Sequence, residues 1–463
     1  MNKKLLLGVG TVVMALTIGL AACGEGGTTT TNVPAAIKPR SGGFNNVSVH
    51  DPSIFKDDDG TYYAFGTHFA VASTKDLIKW NQLAGDGNYQ YLYGNNDWKT
   101  VLSETVEYVQ PDGINSTWAP DVIKIGRKYY MYYSLTHAFG SNWSAIGRVE
   151  ADNVTGPYSN NVVIVKSTQG GGNPNAIDPT VFWDNDGKLW MVYGSDFGGI
   201  QLIELNNSGA DVGLPKEGAE QIKLWAGGGN NAEGPYIFYN SETKYYYLMC
   251  SYGSLSSSYN MRVARSKKVD GPYEDINEDE VEFSSKGGNK LAGNYHFAGD
   301  SQNVALGHNS VLKEGGKYFV VCHVRDRVEG AHHVEVRQLF FNEDGWPVLS
   351  PNRYAGETIG KVSEAEFAGD YDVVIHTEGI TANVQPSEVF TFAANGTVLD
   401  ASGEEVGSWK LKANHYYITF DIYETTYKGV VAPGWCNYQN KAVFSITATS
   451  EYGNALWANP VAK

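Results

Sequence analysis

Apolar and polar positions alternate along this chain in short runs separated by Asp, Asn and Gly, a pattern typical of β-strands joined by tight turns. In "SVHDPSIFKDDDGTYYAFGTH", residues 48–68, an apolar run follows Asp51, turns at "DDDG" and continues as a run of aromatic residues. Apolar runs joined by a turn rich in Asp and Gly predict a β-hairpin. Because Pro52 follows it, Asp51 is expected to be extended and to lie at the mouth of a strand.

The same unit occurs five times, and its copies begin at Asp51, Ala119, Asp178, Glu233 and His308. Each copy has a polar head, an apolar strand, a tight turn and a second strand rich in aromatic residues. Traces of a third and a fourth strand follow. The copies recur every roughly 55–75 residues, which is longer than a compact propeller blade of ~40–45 residues and leaves room for loops. Five units of four strands predict an all-β fold with a five-bladed β-propeller.

The first strand of each blade lines the axis of a propeller, so the polar heads are expected to meet in one pocket. They are three carboxylates, an indole and an imidazole: Asp51, Trp118, Asp178, Glu233 and His308. Clustered carboxylates raise one another's pKa and destabilise a fold that does not use them. The alternative, solvated turn residues, fits less well because the acids occupy equivalent positions in the repeat.

From about Ala365 the pattern changes to short alternating strands with their own turn signals, which predicts a smaller, barrel-like β-domain. Its Trp409, Trp435 and Trp457 are interpreted as core residues, with sugar binding as the alternative. The predicted divisions of the chain are a signal peptide (1–22), a flexible tether (23–43), the propeller (44–362) and the C-terminal domain (363–463).

The N-terminus has the pattern of a secretory signal: the basic "MNKK", a long apolar run, and "LAAC" ending at Cys23. The last four residues resemble a bacterial lipobox, which implies cleavage before Cys23 and lipidation of its thiol. A plain signal peptide and a membrane anchor are the alternatives. The interpretation is an exported cell-surface lipoprotein, held to the membrane only by its lipid or released to the medium.

Composition and charge narrow the class of ligand. The chain has 463 residues with 30 Tyr and 11 Trp, and such aromatic side chains form stacking surfaces for flat ligand faces. Its formal net charge of −16 argues against nucleic acid as a partner and fits a neutral ligand. The cysteines Cys250, Cys322 and Cys436 are an odd set, and buried free thiols are the favoured interpretation.

Six segments occur in an order that resembles glycoside hydrolase family 43: "HDPSI", "WAPDV", "NAIDPTVF", "YGSDFGGI", "GNNAEGPYI" and "GHNSV". The resemblance covers roughly residues 45–463 and is to the endo-α-1,5-L-arabinanases that carry a C-terminal β-domain. It implies a monomeric enzyme that hydrolyses internal bonds of arabinan or arabino-oligosaccharides with inversion.

The resemblance also implies roles for the three acids. Asp51 matches the general base that activates water, Glu233 the general acid that protonates the leaving oxygen, and Asp178 the aspartate that orients the acid and tunes its pKa. The chemistry agrees, because inverting hydrolysis needs one acid and one base ~6.5–9.5 Å apart.

His308 matches the histidine near an axial metal, usually calcium, although calcium prefers oxygen ligands and a merely hydrogen-bonded histidine is the alternative. Other histidines, such as His296, His332 and His333, have no metal-ligand spacing and are interpreted as structural or exposed. The implied sugar-binding residues are Trp118, Gly140, Asn175, Ala176, Ile177, Ser195, Asp196, Phe197, Gly229, Asn230, Asn231 and Ala232.

Two other functions stay open. An exo-acting α-L-arabinofuranosidase or β-xylosidase would use the same acids, since loops that block the groove decide between endo and exo action. A surface lipoprotein that only binds glycan would keep the propeller without catalysis, but the presence of all three acids argues against it.

Overall fold

The structure is a computed structural model that describes residues 33–170, 174–226, 232–284, 287–327 and 330–462. The predicted signal peptide and Cys23 lie outside these residues. The chain forms five antiparallel sheets followed by a closed barrel. The predicted all-β fold, a five-bladed propeller with a small C-terminal barrel, is therefore confirmed. Within the described part of the chain, no helix has the length and apolar character needed to cross a membrane.

The first three blades are four-stranded antiparallel sheets whose strands pair in chain order. Blade 1 contains β1 (Ser53–Lys56), β2 (Tyr62–Phe65), β3 (Val71–Thr74) and β4 (Trp80–Ala84). Blade 2 contains β5 (Thr117–Ile125), β6 (Lys128–Thr136), β7 (Ser144–Ala151) and β8 (Ser159–Ser167). Blade 3 contains β9 (Thr180–Trp183), β10 (Leu189–Ser195), β11 (Gly199–Leu205) and β12 (Ile222–Trp225). Between β2 and β5 lie α1 (Gln90–Tyr93), α2 (Trp98–Val101), α3 (Ser103–Val109) and the 3₁₀ turns Thr67–Phe69 and Ile114–Ser116.

The last two blades continue this arrangement, and blade 5 gains extra strands at one edge. Blade 4 contains β13 (Glu233–Asn240), β14 (Tyr245–Tyr252), β15 (Asn260–Ser266) and β16 (Asn289–Ala292). Blade 5 contains β17 (Tyr295–His296), β18 (Asn303–Glu314), β19 (Lys317–Asp326), β20 (His332–Phe341) and β21 (Pro347–Leu349).

The innermost strands β1, β5, β9, β13 and β18 contact one another in a ring. Between the last and the first blade, Ser310 closes this ring. Its hydroxyl donates to the carbonyl of Pro52 (2.8 Å) and accepts from the N–H of Ile54 (3.1 Å). Ile54 and Ser310 are 256 residues apart in the chain. The seam is thus closed by side-chain hydrogen bonds between the two ends of the propeller sequence.

The C-terminal domain is a closed eight-stranded barrel in which β22 pairs with both β24 and β30. It begins with α4 (Glu364–Phe367), and its strands are β22 (Gly369–Ile375), β24 (Glu388–Phe392), β25 (Thr397–Leu399), β26 (Glu405–Leu411), β27 (Tyr417–Ile422), β28 (Thr425–Cys436), β29 (Lys441–Ser450) and β30 (Ala455–Pro460). Phe392, Phe420 and other buried side chains fill its core. The last propeller strand ends at Leu349, and the barrel begins with α4 at Glu364. The boundary predicted after residue 362 lies in the segment between them and stays a prediction.

The barrel packs directly onto the propeller. A short strand from the barrel's sequence, β23 (Gln385–Pro386), pairs in parallel with β17 at the edge of blade 5. Trp457 of the barrel is fully buried and lies edge-on against Tyr295 of the propeller, with ring centroids 5.1 Å apart. Trp409 is also buried, as predicted, whereas Trp435 is half-buried and lines a cleft between the domains.

The N-terminal segment differs from the prediction of a flexible tether up to residue 43. Ala35 and Ile37 form β-bridges with Lys361 and Thr358, and the ammonium of Lys38 lies 4.1 Å from the ring centroid of Phe444 in the barrel. Backbone pairing and a cation–π contact hold these residues, which composition alone could not indicate. The three free cysteines are buried, as predicted.

Candidate active site

The structure brings the five polar heads into one cavity of about 720 Å³, which Asp51, Trp118, Asp178, Glu233 and His308 all line. They come from five different blades. Each stands at the entrance of an inner strand or at a point where the strand's pairing is irregular. The repeat pattern therefore placed the chemistry-bearing end of every blade correctly.

Three heads have a backbone conformation that L-residues rarely adopt. The φ angles of Asp51, Asp178 and His308 are 52°, 56° and 47°. The expectation that Asp51 is extended was therefore wrong. Such left-handed residues cost free energy and persist where the surrounding contacts hold them, as they often do at functional sites.

Asp51 is held by hydrogen bonds from four directions. Its Oδ2 accepts from the hydroxyl of Thr67 (2.6 Å) and lies 2.8 Å from Nδ1 of His50. Its Oδ1 lies 3.1 Å from Nδ1 of His308, and its backbone N–H donates to Nδ1 of His323 (3.2 Å). The imidazoles thus replace the water that a carboxylate loses on burial.

These partners decide the charge of Asp51. Burial alone would raise its pKa, but the nearby imidazoles of His308 and His50 hold the pKa of Asp51 well below its usual value. For His308, burial disfavours the charged form, yet the opposing negative charge of Asp51 raises the pKa of His308 to about 9. Asp51 is therefore an ionised carboxylate near neutral pH.

Glu233 and Asp178 are coupled through the backbone. The N–H of Gly234, the residue after Glu233, donates to Oδ2 of Asp178 (3.0 Å), while Oε1 of Glu233 accepts from the hydroxyl of Tyr259 (2.9 Å). The N–H of Asp178 donates to the hydroxyl of Ser134 (2.9 Å). The conformation of Gly234, with φ of 60°, allows this turn toward Asp178.

Burial raises the pKa of Glu233, and the negative charges of Asp178 and Asp51 raise it further. Burial also raises the pKa of Asp178, against the opposing effect of His308. The cavity thus contains one carboxylate that is held ionised and one carboxyl group that retains its proton near neutral pH. Such a separation of pKa values is the arrangement that acid–base catalysis requires.

The other sequence-predicted residues divide into three groups. Those that line the cavity are Gly140, Asn175, Ile177, Ser195 and Phe197. Ala176 and Ala232 are buried, and Asp196, which is half-buried, is not part of the lining. Gly229, Asn230 and Asn231 lie outside the described residues, as does Cys23.

Sequence reasoning missed several residues of the site. His50, Thr67, Tyr259 and His323 contact the acids directly, and of these four only Tyr259 lies outside the quoted repeat copies and motifs. The interpretation of His332 as structural or exposed was wrong, because it lines the cavity. Thr67 and His323 stand at the end of the aromatic strand in the first and the fifth copy, so a comparison of the copies could have found both; Tyr259 carries no such signal.

A buried carboxyl group beneath the cavity was also missed. Asp121 accepts from the hydroxyl of Ser53 and from the N–H of Val181 (2.7 Å), so it joins the inner strands of three blades. Burial raises the pKa of Asp121 to about 6. Asp121 braces the ring of inner strands rather than facing the large cavity.

The donor atoms around Asp51 were tested as a metal site. His50, Asp51 and His323 place one ligand atom each within 4.8 Å of one another, but two of the three are nitrogens and His323 Nδ1 already accepts a hydrogen bond. This set does not suit calcium. His308 fits as a single ligand in its neutral form, in which Nδ1–H faces the carboxylate of Asp51 and Nε2 is left for an ion that would take the place of the second proton.

Several known proteins are similar to this chain in sequence and in fold. The family model "Glycosyl hydrolases family 43" matches residues 44–347, and "C-terminal lipocalin-like domain" matches residues 351–458. The chain is 37% identical over 450 residues to the extracellular endo-alpha-(1->5)-L-arabinanase 2 of Bacillus subtilis, across 90% of this chain and 93% of that protein. It is 39% identical over 457 residues to the extracellular endo-alpha-(1->5)-L-arabinanase of Thermotoga petrophila, across 89% and 94%.

The crystal structure of endo-1,5-alpha-L-arabinanase from Thermotoga petrophila has the same fold, with a TM-score of 0.84 at 37% identity. The match covers 90% of this chain and 99% of that one. Both units of the present structure are therefore shared with these relatives. With a family model that spans most of the propeller and relatives that match along nearly their whole length, the chain belongs to glycosyl hydrolase family 43.

Proposed function

We propose that this protein is an extracellular endo-α-1,5-L-arabinanase, which hydrolyses internal α-1,5-L-arabinofuranosidic bonds of arabinan with inversion. One observation carries the proposal: a single cavity holds an ionised carboxylate, Asp51, together with a protonated carboxyl group, Glu233. Inverting glycoside hydrolysis needs this pair, one group to activate water and one to protonate the leaving oxygen. The names of the two relatives support arabinan as the substrate.

In this mechanism Asp51 is the general base. It removes a proton from a water molecule as that water attacks the anomeric carbon. The imidazoles of His50 and His308 hold Asp51 ionised and fix its orientation, so the base is ready before substrate binds. Its low pKa makes Asp51 a weak base, and it accepts the proton as the oxocarbenium-like transition state increases the acidity of the attacking water.

Glu233 is the general acid, and it transfers its proton to the oxygen of the departing sugar. Asp178 orients Glu233 through the N–H of Gly234 and keeps the proton on Glu233 by its negative charge. When Glu233 loses its proton, the site holds more negative charge, which favours its reprotonation before the next turnover.

The walls of the cavity supply sugar contacts. Trp118 is half-buried, and its indole N–H donates to Thr136 (2.7 Å), so the ring is fixed as a stacking surface. Phe139 next to it is 77% exposed at the rim, with ring centroids 5.9 Å apart. The side-chain amide of Asn175 donates to the hydroxyl of Ser195 (3.2 Å), which positions two polar side chains in the lining of the same cavity. Exposed aromatic rings beside polar groups suit pentose rings.

An exo-acting α-L-arabinofuranosidase or β-xylosidase would use the same three acids. The endo mode is favoured because the relatives that match both the propeller and the barrel are named endo-arabinanases. A glycan-binding protein without catalysis would not need the separated pKa values of Asp51 and Glu233.

Calcium is the proposed cofactor, with His308 as its one protein ligand through Nε2 and water in the remaining positions. A bound calcium ion would supply positive charge and ordered water near the axis. The chain's own contribution is the contact between His308 Nδ1 and Asp51, which orients the imidazole.

Export fits the names of the extracellular relatives and the signal-like N-terminus. The finer proposal is a lipid on Cys23 that anchors the enzyme to the membrane of its bacterial host. We further propose a monomer whose substrate is arabinan and whose surface binds no nucleic acid.

The test compares arabinan with a nitrophenyl arabinoside that the enzyme accepts. A sugar leaving group needs a proton and a nitrophenolate hardly does, so Glu233→Ala is expected to lose ~10²–10⁴-fold on arabinan and far less on the aryl substrate. Asp51→Ala is expected to fail on both. Early products from debranched arabinan should be mixed oligosaccharides, and the first-formed anomer, read by NMR, should be β.

If Asp51→Ala is the variant whose loss depends on the leaving group, the two roles are exchanged. If Asp51→Ala and Glu233→Ala both keep near-normal rates, the active site lies elsewhere. Release of arabinose alone from the polymer would identify an exo enzyme, and binding without any release of reducing ends would identify a glycan-binding protein.

A further inference from the structure

The segment between β22 and β24, residues 376–387, leaves the barrel and runs over the propeller; we call it the bridging loop. The buried ammonium of Lys290 in blade 4 donates to the carbonyls of Thr377 and Gly379, both at 2.8 Å. The guanidinium of Arg262, which is also buried, donates to the carbonyl of the residue between them. Two buried basic side chains thus fix the start of the bridging loop on blade 4.

The bridging loop also contacts the wall of the catalytic cavity. The side-chain amide of Asn294 donates both to the carbonyl of Thr381 (3.3 Å) and to the carbonyl of Ser257 (2.6 Å). Ser254 and Leu255, in the same turn as Ser257, line the cavity. One amide therefore connects the barrel's sequence to the wall that faces the acids.

Further along the bridging loop, Val384 packs against a small buried cluster formed by Tyr259, Val304 and Ala305. Tyr259 is fully buried, and its ring stacks on that of His323, with centroids 5.7 Å apart and planes 10° apart. Gly307 lies against the same ring, where a Cβ would come within 2.1 Å of Tyr259 Cδ1. The ring is thus confined between propeller residues, and a side chain from the barrel's sequence packs against the cluster that contains it.

The hydroxyl of this confined ring donates to Oε1 of Glu233 (2.9 Å). The carbonyl oxygen of a protonated carboxyl group is a better hydrogen-bond acceptor than its hydroxyl oxygen, so this contact favours the acidic proton of Glu233 on Oε2. Tyr259 therefore selects which oxygen carries the proton and limits rotation of the carboxyl group. Burial raises the pKa of the Tyr259 hydroxyl, so it keeps its proton and remains a donor.

We propose that Tyr259 is a positioning residue for the acid Glu233, and that the bridging loop of the barrel holds Tyr259 in place through Val384. The inference rests on the proposed role of Glu233 as general acid. It gives the C-terminal domain a part in the reaction although, among the residues that the structure describes, the cavity lining includes none from a barrel strand.

The first test is Tyr259→Phe, which keeps the ring and removes only the hydroxyl. Its kcat/KM on arabinan is expected to fall about two- to tenfold more than on the nitrophenyl arabinoside, the rate equivalent of one hydrogen bond. The melting temperature checks that the fold is intact. A purely structural role would lower both rates equally, and that result would overturn the proposal.

The second test is Val384→Ala, with Val389→Ala as the matched control because Val389 lies on the barrel surface. Val384→Ala is expected to change the ratio of the two rates in the same direction as Tyr259→Phe, by a smaller factor, and the control to leave it unchanged. If Val384 acts through Tyr259, the double variant should have the same ratio as Tyr259→Phe alone. Full additivity would show that the bridging loop does not act through Tyr259.

The result for Glu233→Ala separates failure of this inference from failure of the proposed function. If that variant loses activity selectively on arabinan while Tyr259→Phe leaves the ratio unchanged, Glu233 is the acid and Tyr259 does not position it. If Glu233→Ala shows no selectivity, the general acid has been misassigned and the inference falls with it.

Discussion

The propeller is a ring of β-sheets and the barrel is a ring of β-strands, and the two differ in what occupies their centres. At the centre of the propeller, five strand ends with polar side chains surround a cavity, and three of these residues have left-handed backbones. At the centre of the barrel, rings such as Phe392 and Phe420 pack face to edge, 5.3 Å apart. The comparison shows that the propeller bears the free-energy cost of burying charged groups, whereas the barrel is stabilised by a filled apolar core.

The difference follows from how the strands meet. In the propeller the inner strands belong to separate sheets and are joined across blades through side chains such as Ser310 and Asp121, so their ends leave room for side chains at the axis. In the barrel every strand pairs with two neighbours, and the inward side chains meet and fill the interior. A ring of sheets can hold a site at its centre, whereas the interior of this closed sheet is occupied by packed apolar side chains.

The largest expected effect comes from removing the barrel. A chain that ends at residue 362 would expose the propeller surface now covered by Trp457, Val374 and the bridging loop. We expect insoluble or weakly active protein, because contiguous apolar surface of this kind drives aggregation. Soluble expression, with kcat/KM on arabinan per folded molecule, is the measurement. A shortened chain that stays soluble and fully active would make the barrel a mere accessory.

A pair of substitutions tests whether the two centres have separate roles. Phe420→Ala in the barrel core is expected to lower the free energy of unfolding by about 3–5 kcal/mol while activity per folded molecule is kept. Asp51→Asn should do the reverse: it should abolish most activity and move the melting temperature by only a few degrees. Denaturant unfolding and initial rates measure both. Large effects of either substitution on both quantities would contradict the division.

The calcium proposal predicts a smaller effect on stability. If His308 binds an ion, a strong chelator should lower the melting temperature and added calcium should restore it, since saturating ligand at a hundredfold excess over Kd stabilises by about 2.7 kcal/mol. His308→Ala should erase this response, and His296→Ala, a histidine that bonds only a backbone carbonyl, should keep it. Absence of any chelator effect, with no metal by elemental analysis, would refute the proposal.

The smallest effect concerns pH. Activity needs protonated Glu233, so it falls as pH rises through the pKa of Glu233, which burial and Asp178 raise. Asp178→Asn removes a negative charge that favours the proton, so the pKa of Glu233 falls and the alkaline limb of the kcat/KM profile should move to lower pH. An unmoved limb would mean that Asp178 does not tune the acid.

Much of this could be predicted from the sequence because the propeller is a repeat, and a repeat gives equivalent positions equivalent locations. Asp51, Asp178 and Glu233 were found in this way. Tyr259 was not, since it follows the serine-rich turn "SLSSS" and its importance depends on a contact with Glu233 that no periodicity encodes. The bridging loop was missed for the same reason: its contacts join two domains, and local patterns describe only one segment at a time.

The seam between blades 1 and 5 has a consequence for how the molecule is made. During translation Ile54 is synthesised long before Ser310, and the hydrogen bond between these two residues, 256 positions apart, closes the ring. Until blade 5 has been synthesised, the inner strand of blade 1 lacks its neighbour β18. The N-terminal segment likewise lacks its partners, because Ala35 and Ile37 pair with Lys361 and Thr358. Contacts between distant parts of a chain form slowly. The last blade to be synthesised is therefore the one that completes the circle, and with it both walls of the cavity around Asp51.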